Sequence, residues 1–268
     1  MKRISILVVL FLMLAVSVLP AVAITNGVPD EDGHPGVGYM VAEEHVDGQV
    51  LRWRCSGTLI APNVFLTAGH CVYNMVGAWV WFGSDMSGVS GDPRENPDAL
   101  PGRPIAHPEY GSAGDMHDVG VVLLDEPVYD IPLGTLPEQD LLGRLKKERI
   151  LRGGYEEGVY FRNVGYGVTL LTWPHPTHDN NKVRMVSDSE YVALGKSTLH
   201  LFQRAVFDES GTCGGDSGGP AYWIDPYGNE IIVAVTSVGD AMCVASSMSY
   251  RVDVPDILAW IYSQFPQE

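Results

Sequence analysis

The segment Cys213–Pro220 reads Cys-Gly-Gly-Asp-Ser-Gly-Gly-Pro and places Ser217 in a glycine-rich turn. A serine hydroxyl is a poor nucleophile by itself. It needs a base that takes its proton and donors that stabilise the negative oxygen formed by its attack. Gly215 and Gly218 let the main chain turn tightly and aim N–H groups at one point. The segment therefore predicts a nucleophilic serine; a turn that contains a serine by chance is the alternative.

Candidates for a base and for a carboxylate that orients it precede the serine in the chain. His70 lies in Thr-Ala-Gly-His-Cys, and Asp118 stands directly before the apolar run Val119–Leu124, which is typical of a buried strand. A lone histidine, or an aspartate before a strand, is usually structural. The order His, Asp, Ser is one of those found in serine hydrolases, so the three matches together predict a catalytic triad.

Further segments resemble the chymotrypsin/trypsin family of serine endopeptidases, as the triad motifs do. They are Cys55–Ile60, Ala106–Tyr110, Val164–Gly167 and the helix-like Val254–Phe265. In Val164–Gly167, Tyr166 replaces the family's tryptophan. The resemblance begins at Ile24–Gly27 and extends through most of the remaining chain.

The resemblance implies a role for each residue of the site. His70 is the expected base, Asp118 orients it, and Ser217 is the nucleophile. The N–H groups of Gly215 and Ser217 form the expected oxyanion hole. The mechanism passes through an acyl-enzyme intermediate and needs no cofactor.

The composition agrees with an all-β protein. The 268 residues include 30 glycines and 18 prolines, which separate short runs rich in Val, Ile and Tyr. The resemblance implies two packed six-stranded antiparallel Greek-key β-barrels with a C-terminal helix, all within residues 24–268. The barrels are expected to divide near residues 130–150, where Asp140–Arg149 could form a short helix.

The first 23 residues have the pattern of a secretory signal peptide. Lys2 and Arg3 precede the apolar segment Ile4–Leu19, and Ala21–Ala23 supplies small residues before a cleavage site. An uncleaved membrane anchor is the alternative, but the segment is shorter than the roughly 20 residues of a typical span. We expect a secreted, extracellular protein with no membrane attachment in the mature form.

Four cysteines in a secreted chain suggest two disulfides, for which the sequence allows three pairings. The family resemblance selects Cys55–Cys71 and Cys213–Cys243. The chain has no Cys-x-x-Cys pair, which argues against a zinc site. The acidic loop Gly91–Asp98 could hold calcium, but a solvated turn is the favoured explanation, and we expect no metal.

The formal net charge of −16 argues against nucleic-acid or anionic-membrane partners. The expected partners are peptide or protein substrates, bound by a monomer. A relative without catalytic activity that serves as a binding protein is the alternative from another class. The presence of all three triad residues disfavours that alternative.

Substrate preference depends on the primary specificity pocket. The resemblance places Gly211 at its floor, where trypsin-like members carry aspartate, and places Ser237, Val238, Gly239 and Met248 in its walls. An uncharged, partly filled pocket favours an uncharged residue before the scissile bond. Carboxylates that could still reach the pocket from the side belong to Asp208, Glu209 and Asp240.

The resemblance also implies an activation pair. In the family a new N-terminal amine inserts into the protein and pairs with the aspartate before the nucleophile, here Asp216. Cleavage after Ala23 would expose Ile24 as that N-terminus. We therefore expect the Ile24–Asp216 pair to form on export, with no propeptide and no zymogen stage.

Overall fold

The computed structural model describes residues 27–112, 116–154, 158–171, 177–179, 182–204 and 209–266, with backbone alone at 169–171 and 177–179. Strands dominate these residues. Most of the strands belong to two antiparallel barrels. One α-helix lies in the connection between the barrels and another at the C-terminal end.

The first barrel is closed by six strands in the order β2-β3-β4-β7-β6-β5. The strands are β2 (Val37–Val46), β3 (Gln49–Ala61), β4 (Val64–Thr67), β5 (Gly77–Trp81), β6 (Leu100–Ala106) and β7 (Gly120–Leu124). Closure comes from the antiparallel pairing of β2 with β5. Because β4 pairs with β7 rather than with β5, the next strand in sequence, the connections cross as in a Greek key.

The second barrel also has six strands, in the order β11-β12-β15-β14-β13-β8. The strands are β8 (Tyr160–Gly165), β11 (Met185–Leu194), β12 (Thr198–Phe202), β13 (Pro220–Ile224), β14 (Glu230–Gly239) and β15 (Ser246–Arg251). Pairing of β8 with both β13 and β11 closes it. The short strand β1 (Val28–Pro29) pairs with β11. The two six-stranded barrels confirm the predicted fold class.

The remaining elements are short. Strands β9 (Thr169–Leu171) and β10 (Thr177–Asp179) form a separate two-stranded sheet. Helix α1 (Leu141–Lys147) lies in the connection between the barrels, where its buried leucines pack against the second barrel core. Helix α2 (Pro255–Ser263) begins at a proline and buries Ile257, Leu258 and Ile261. It is the predicted C-terminal helix.

The two barrels share an apolar core at their seam. Tyr166, fully buried on the second barrel, donates its hydroxyl to the carbonyls of Val37 (3.1 Å) and Gly83 (2.7 Å) on the first. Burial raises the pKa of Tyr166 to about 12. A buried tyrosine needs such polar partners for its hydroxyl. Tyr166 therefore holds the two halves of the molecule, and with them the two halves of the site, in a fixed relation.

Candidate active site

The three predicted triad residues come from both barrels. His70 lies in a single 3-10 turn, Gly69–Cys71, that follows β4, and Asp118 stands two residues before β7. Because β4 and β7 pair side by side, their adjoining ends bring these two residues together. Ser217 belongs to the second barrel, in the turn that precedes β13.

His70 is held by Asp118 at two points. Its ring nitrogen Nδ1 lies 2.9 Å from Oδ2 of Asp118, and its backbone N–H donates to Oδ1 over 2.8 Å. A carboxylate at Nδ1 fixes the tautomer that carries its proton there, which leaves Nε2 as the acceptor. About a third of the His70 side chain is exposed, against 1% of Asp118. The ring is therefore anchored on one side and accessible on the other.

Asp118 has another partner on the second barrel. The hydroxyl of Ser237 donates to its Oδ2 over 2.5 Å. Burial would raise the pKa of Asp118, but the hydrogen bonds and charge of His70, together with Ser237, outweigh burial and lower it. The carboxylate is thus kept ionised beside the histidine. The sequence predicts Ser237 only in the pocket wall, because no local motif signals a bond between residues 119 positions apart.

The turn around Ser217 depends on two glycines. Gly215 and Gly218 have φ angles of +101° and +80°, a region that other residues rarely adopt. A Cβ on Gly218 would lie 2.0 Å from Oγ1 of Thr67. Glycine at both positions is therefore required by conformation and, at Gly218, by space.

Ser56, on β3, ties the serine turn to the first barrel. Its backbone N–H donates to the carbonyl of Ser217 over 2.8 Å, and its hydroxyl donates to the carbonyl of Gly215 over 2.9 Å. Its own carbonyl accepts the hydroxyl of Thr67 at 2.8 Å. The first two bonds cross the seam and the third ties Ser56 to the strand before His70, so together they set the position of the serine turn relative to the histidine loop.

Two disulfides brace the same loops, and they are the pairs that the resemblance implied. Cys55–Cys71 joins β3 to the turn that carries His70, with Cα atoms 6.2 Å apart. Cys213–Cys243 joins the serine turn to the loop after β14, with Cα atoms 5.3 Å apart. Each bridge therefore fixes one side of the site.

A cavity of about 320 Å³ lies beside Ser217. Ser237 and Gly239 line it, as expected. The other three predicted pocket residues are not among the described residues that line this cavity; they are Gly211, Val238 and Met248.

The structure corrects the placement of Met248. This side chain lines a different cavity, together with Met116, Ser237 and Tyr250. Strand β15 carries Met248 and Tyr250 two residues apart, hence on one face. Side chains alternate along a strand, so a difference of one position moves a residue to the opposite face. Counting from Cys243 could not fix that register.

Asp240 lines the cavity beside Ser217, but its carboxylate is already occupied. Oδ1 accepts the backbone N–H groups of Met242 and Val244, and Oδ2 accepts those of Ala245 and Ser246 together with the side-chain amide of Gln203. A carboxylate offers about four lone-pair sites. Burial would raise the pKa of Asp240, yet these hydrogen bonds lower it. The oxygens therefore have no site left for a substrate cation.

Of the other two candidate carboxylates, Glu209 is not among the described residues that line this cavity. The Nε–H of Arg204 donates a hydrogen bond to Oε2 of Glu209 over 2.7 Å. Asp208 lies outside the described residues.

Asp216 is fully buried next to the nucleophile. Burial raises its pKa to about 6, although the backbone N–H groups of Cys213 (2.8 Å) and Gly167 (2.7 Å), with the charge of Arg54, oppose the rise. Ile24, its predicted partner, lies outside the described residues. Asp216 is thus a buried acid whose ionisation a nearby cation would favour.

Two features bear on the metal alternatives. Cys55, His70 and Cys71 lie close enough to share an ion, yet the two sulfurs form a disulfide. In the acidic loop, Asp92 accepts Arg52 (2.7 Å) and Arg94 (3.0 Å), so its carboxylate is held by arginines. The two sulfurs are bonded to each other, and the Asp92 carboxylate is shared between two arginines.

Two six-stranded barrels, with a carboxylate-anchored histidine and a serine turn at their seam, define the class of two-barrel serine hydrolases. The model of the Trypsin family matches residues 24–261, so the chain belongs to that family, and the predicted resemblance is confirmed. The protein is a serine-type endopeptidase whose substrates are peptides or proteins.

Several relatives align with most of this chain. A trypsin of Saccharopolyspora erythraea is 29% identical, over 77% of this chain and 82% of its own. Serine protease 1 of Drosophila melanogaster is 28% identical, over 89% and 84% respectively. A solved structure of HL collagenase aligns with a TM-score of 0.66 at 21% identity, covering 90% of this chain and 97% of its own. This last similarity supports the fold.

Proposed function

We propose that the protein is a secreted serine endopeptidase in which Ser217, His70 and Asp118 form the catalytic triad. One observation supports this most strongly. Asp118 holds Nδ1 of His70 from a fully buried position, so the opposite ring nitrogen is an acceptor at the seam where the turn of Ser217 also lies. Such an arrangement suits a histidine that must take a proton from a serine hydroxyl.

The proposed reaction proceeds in two stages. The Oγ of Ser217 attacks the carbonyl carbon of the scissile peptide bond while Nε2 of His70 takes the hydroxyl proton. The N–H groups of Gly215 and Ser217 donate to the resulting oxyanion, and His70 then gives its proton to the leaving amine. In the second stage water attacks the acyl-enzyme carbonyl while Nε2 of His70 takes a proton from it. His70 then returns this proton to Oγ of Ser217, which releases the acid product and restores the enzyme.

Asp118 stabilises the imidazolium that forms at each stage. Its bonds from His70 and Ser237 keep it ionised throughout, so it orients the ring without accepting the proton. Ser237 acts through Asp118 and is a positioning residue.

We propose an uncharged residue before the scissile bond. Gly211 offers no carboxylate, and the oxygens of Asp240 are used by the main chain and Gln203. A guanidinium or ammonium buried without a partner loses several kcal/mol of hydration. The cavity beside Ser217 is therefore better suited to neutral side chains.

We propose that residues 1–23 are removed on export and that the amine of Ile24 pairs with Asp216. The buried Asp216 is an acid whose charged form needs such a partner. The mature enzyme acts as an extracellular monomer without membrane attachment. Among the described residues, no helix is both long and apolar enough to cross a membrane.

The triad is tested by comparing the secreted protein with Ser217→Ala and Ser263→Ala in a peptide-hydrolysis assay. Ser263 is exposed on α2 and serves as the matched control. Ser217→Ala should fold and be secreted but lose turnover, with residual catalysis of about 10³–10⁴ over water. Hydrolysis by Ser217→Ala at a tenth of the wild-type rate would refute the triad, and inactive wild-type protein would favour the binding-protein alternative.

The activation pair is tested by placing one extra residue before Ile24, with the same residue added after Glu268 as the control. Stranding Asp216 without its amine costs about 3–5 kcal/mol, so the N-terminal extension should lose most of its kcat/KM. Full activity of that form would show that the Ile24–Asp216 pair does not operate. N-terminal sequencing of the secreted protein separates cleavage after Ala23 from a retained anchor.

A further inference from the structure

We propose that Gln203 is the residue that closes the primary specificity pocket and limits the length of the side chain that it accepts. This inference rests on the proposed function, in which the cavity beside Ser217 receives the residue before the scissile bond. It assigns to Gln203 the position at the end of the pocket that sequence analysis gave to Gly211.

Gln203 is fully buried and packs against two backbone positions of the pocket region. A Cβ built on Gly211 would lie 2.1 Å from the Cβ of Gln203 and 2.7 Å from its Oε1. A Cβ built on Gly239, which lines the cavity, would lie 3.7 Å from its Nε2. The glutamine thus fills the space between the wall at Gly239 and the position at Gly211.

Two contacts fix the glutamine in place. Its backbone N–H donates to the carbonyl of Ala245 over 3.0 Å, and its Nε2 donates to Oδ2 of Asp240 over 3.2 Å. An ionised carboxylate only accepts hydrogen bonds, so the amide must turn its nitrogen towards Asp240. Its oxygen then faces Gly211 and has no hydrogen-bond partner among the described residues.

This arrangement explains why Gly211 does not line the cavity. Gln203 occupies the volume into which any side chain at position 211 would extend, and its stem rather than its flexible end lies closest. An aspartate at 211 would clash with that stem and bring its carboxylate towards an unpaired amide oxygen, which would repel it. A cation-binding carboxylate can therefore be built here only if Gln203 is also replaced by glycine, because any other residue keeps the Cβ that lies closest.

The substrate class follows from the length of the pocket. With its end filled by Gln203, the cavity accepts short and medium uncharged side chains better than long or bulky ones. One methylene more or less in an enzyme pocket changes kcat/KM by about 10–200-fold, so removing most of a glutamine should be readily measurable.

The test is a profile of kcat/KM over peptides that differ only in the residue before the scissile bond. Wild type, Gln203→Ala, Gln203→Met, Gly211→Asp and the double variant Gly211→Asp/Gln203→Gly, which removes the clashing Cβ, are compared. Gln203→Met keeps the length of the side chain and removes the amide, which separates occupied volume from hydrogen bonding. Thermal unfolding of each variant shows which ones fold.

Gln203→Ala should raise kcat/KM for Phe and Tyr relative to Ala and Val by about tenfold or more, while Gln203→Met keeps the wild-type order. Gly211→Asp alone should not favour Lys or Arg, whereas the double variant should. An unchanged order in a folded Gln203→Ala, or a preference for Arg in Gly211→Asp alone, would overturn the inference. Wild type that hydrolyses no peptide would instead refute the proposed function.

Discussion

The described residues include two histidine–aspartate pairs that are built alike and differ in what surrounds them. In the active site, His70 binds Asp118 through both Nδ1 and its backbone N–H. Near the N-terminal strand, His34 binds Asp30 in the same two ways. Each aspartate is buried, and each takes a further donor from the second barrel, Ser237 for Asp118 and Arg184 for Asp30.

The second ring nitrogen separates the two pairs. Nε2 of His34 lies 2.9 Å from Oε2 of Glu230, and the ring stacks on Tyr222 with centroids 5.6 Å apart. Both nitrogens of His34 are therefore occupied by carboxylates, and 12% of its side chain is exposed, against about a third of His70. His34 is thus held as a structural residue, whereas His70 retains an accessible nitrogen, which the proposed mechanism uses for proton transfer.

The partner of each aspartate differs as well. Arg184 is almost fully buried and donates to Asp30 over 2.7 Å, so that carboxylate belongs to a buried ion pair. Asp118 receives a neutral hydroxyl instead. A fixed cation beside Asp118 would disfavour the positive charge that His70 takes up in the proposed mechanism. A neutral donor leaves the carboxylate free to stabilise it.

The largest difference is expected from removing each histidine. His70→Ala should lower kcat by about 10⁵–10⁶-fold, because base and nucleophile act as a unit. His34→Ala should leave kcat unchanged and lower the free energy of unfolding. Hydrolysis kinetics and chemical denaturation of both variants measure this. Equal losses of activity would end the distinction between the pairs.

The aspartates should separate in the same direction with a smaller effect on rate. Asp118→Asn should lower kcat by about 10⁴-fold, because the amide no longer holds the reactive tautomer of His70. Asp30→Asn should spare kcat and destabilise the protein by about 3–5 kcal/mol, since it leaves Arg184 buried without its counter-charge. A stable, active Asp118→Asn would contradict the assignment of that residue.

The pH dependence of stability should show the smallest effect. Burial would lower the pKa of His34, but Asp30 and Glu230 outweigh burial and raise it. Its contribution is therefore complete below the ordinary histidine pKa of about 6.5 and is lost as the pH rises through the raised value. Denaturation across this range should give a stability difference between wild type and His34→Ala that shrinks at high pH. A difference that grows with pH would contradict the sign.

Local motifs made the fold and the triad candidates predictable. His70 and Asp118 lie at the ends of short apolar strands, and Ser217 lies among glycines whose conformation only a few sequences can adopt. Contacts between distant segments were not predictable. Ser56 binds the serine turn although the two are 159 residues apart in sequence. Gln203 packs against Gly211, and this contact is set by the tertiary packing of two distant segments rather than by a local motif.

The proposed mechanism requires that only one of the two histidines, His70, activates a serine. It is tested by labelling wild type, His34→Ala and His70→Ala with a fluorophosphonate, followed by mass spectrometry of the peptide that contains Ser217. Wild type and His34→Ala should both be labelled on Ser217, and His70→Ala should remain unlabelled. Absence of label on wild type, or equal labelling of His70→Ala, would contradict the account.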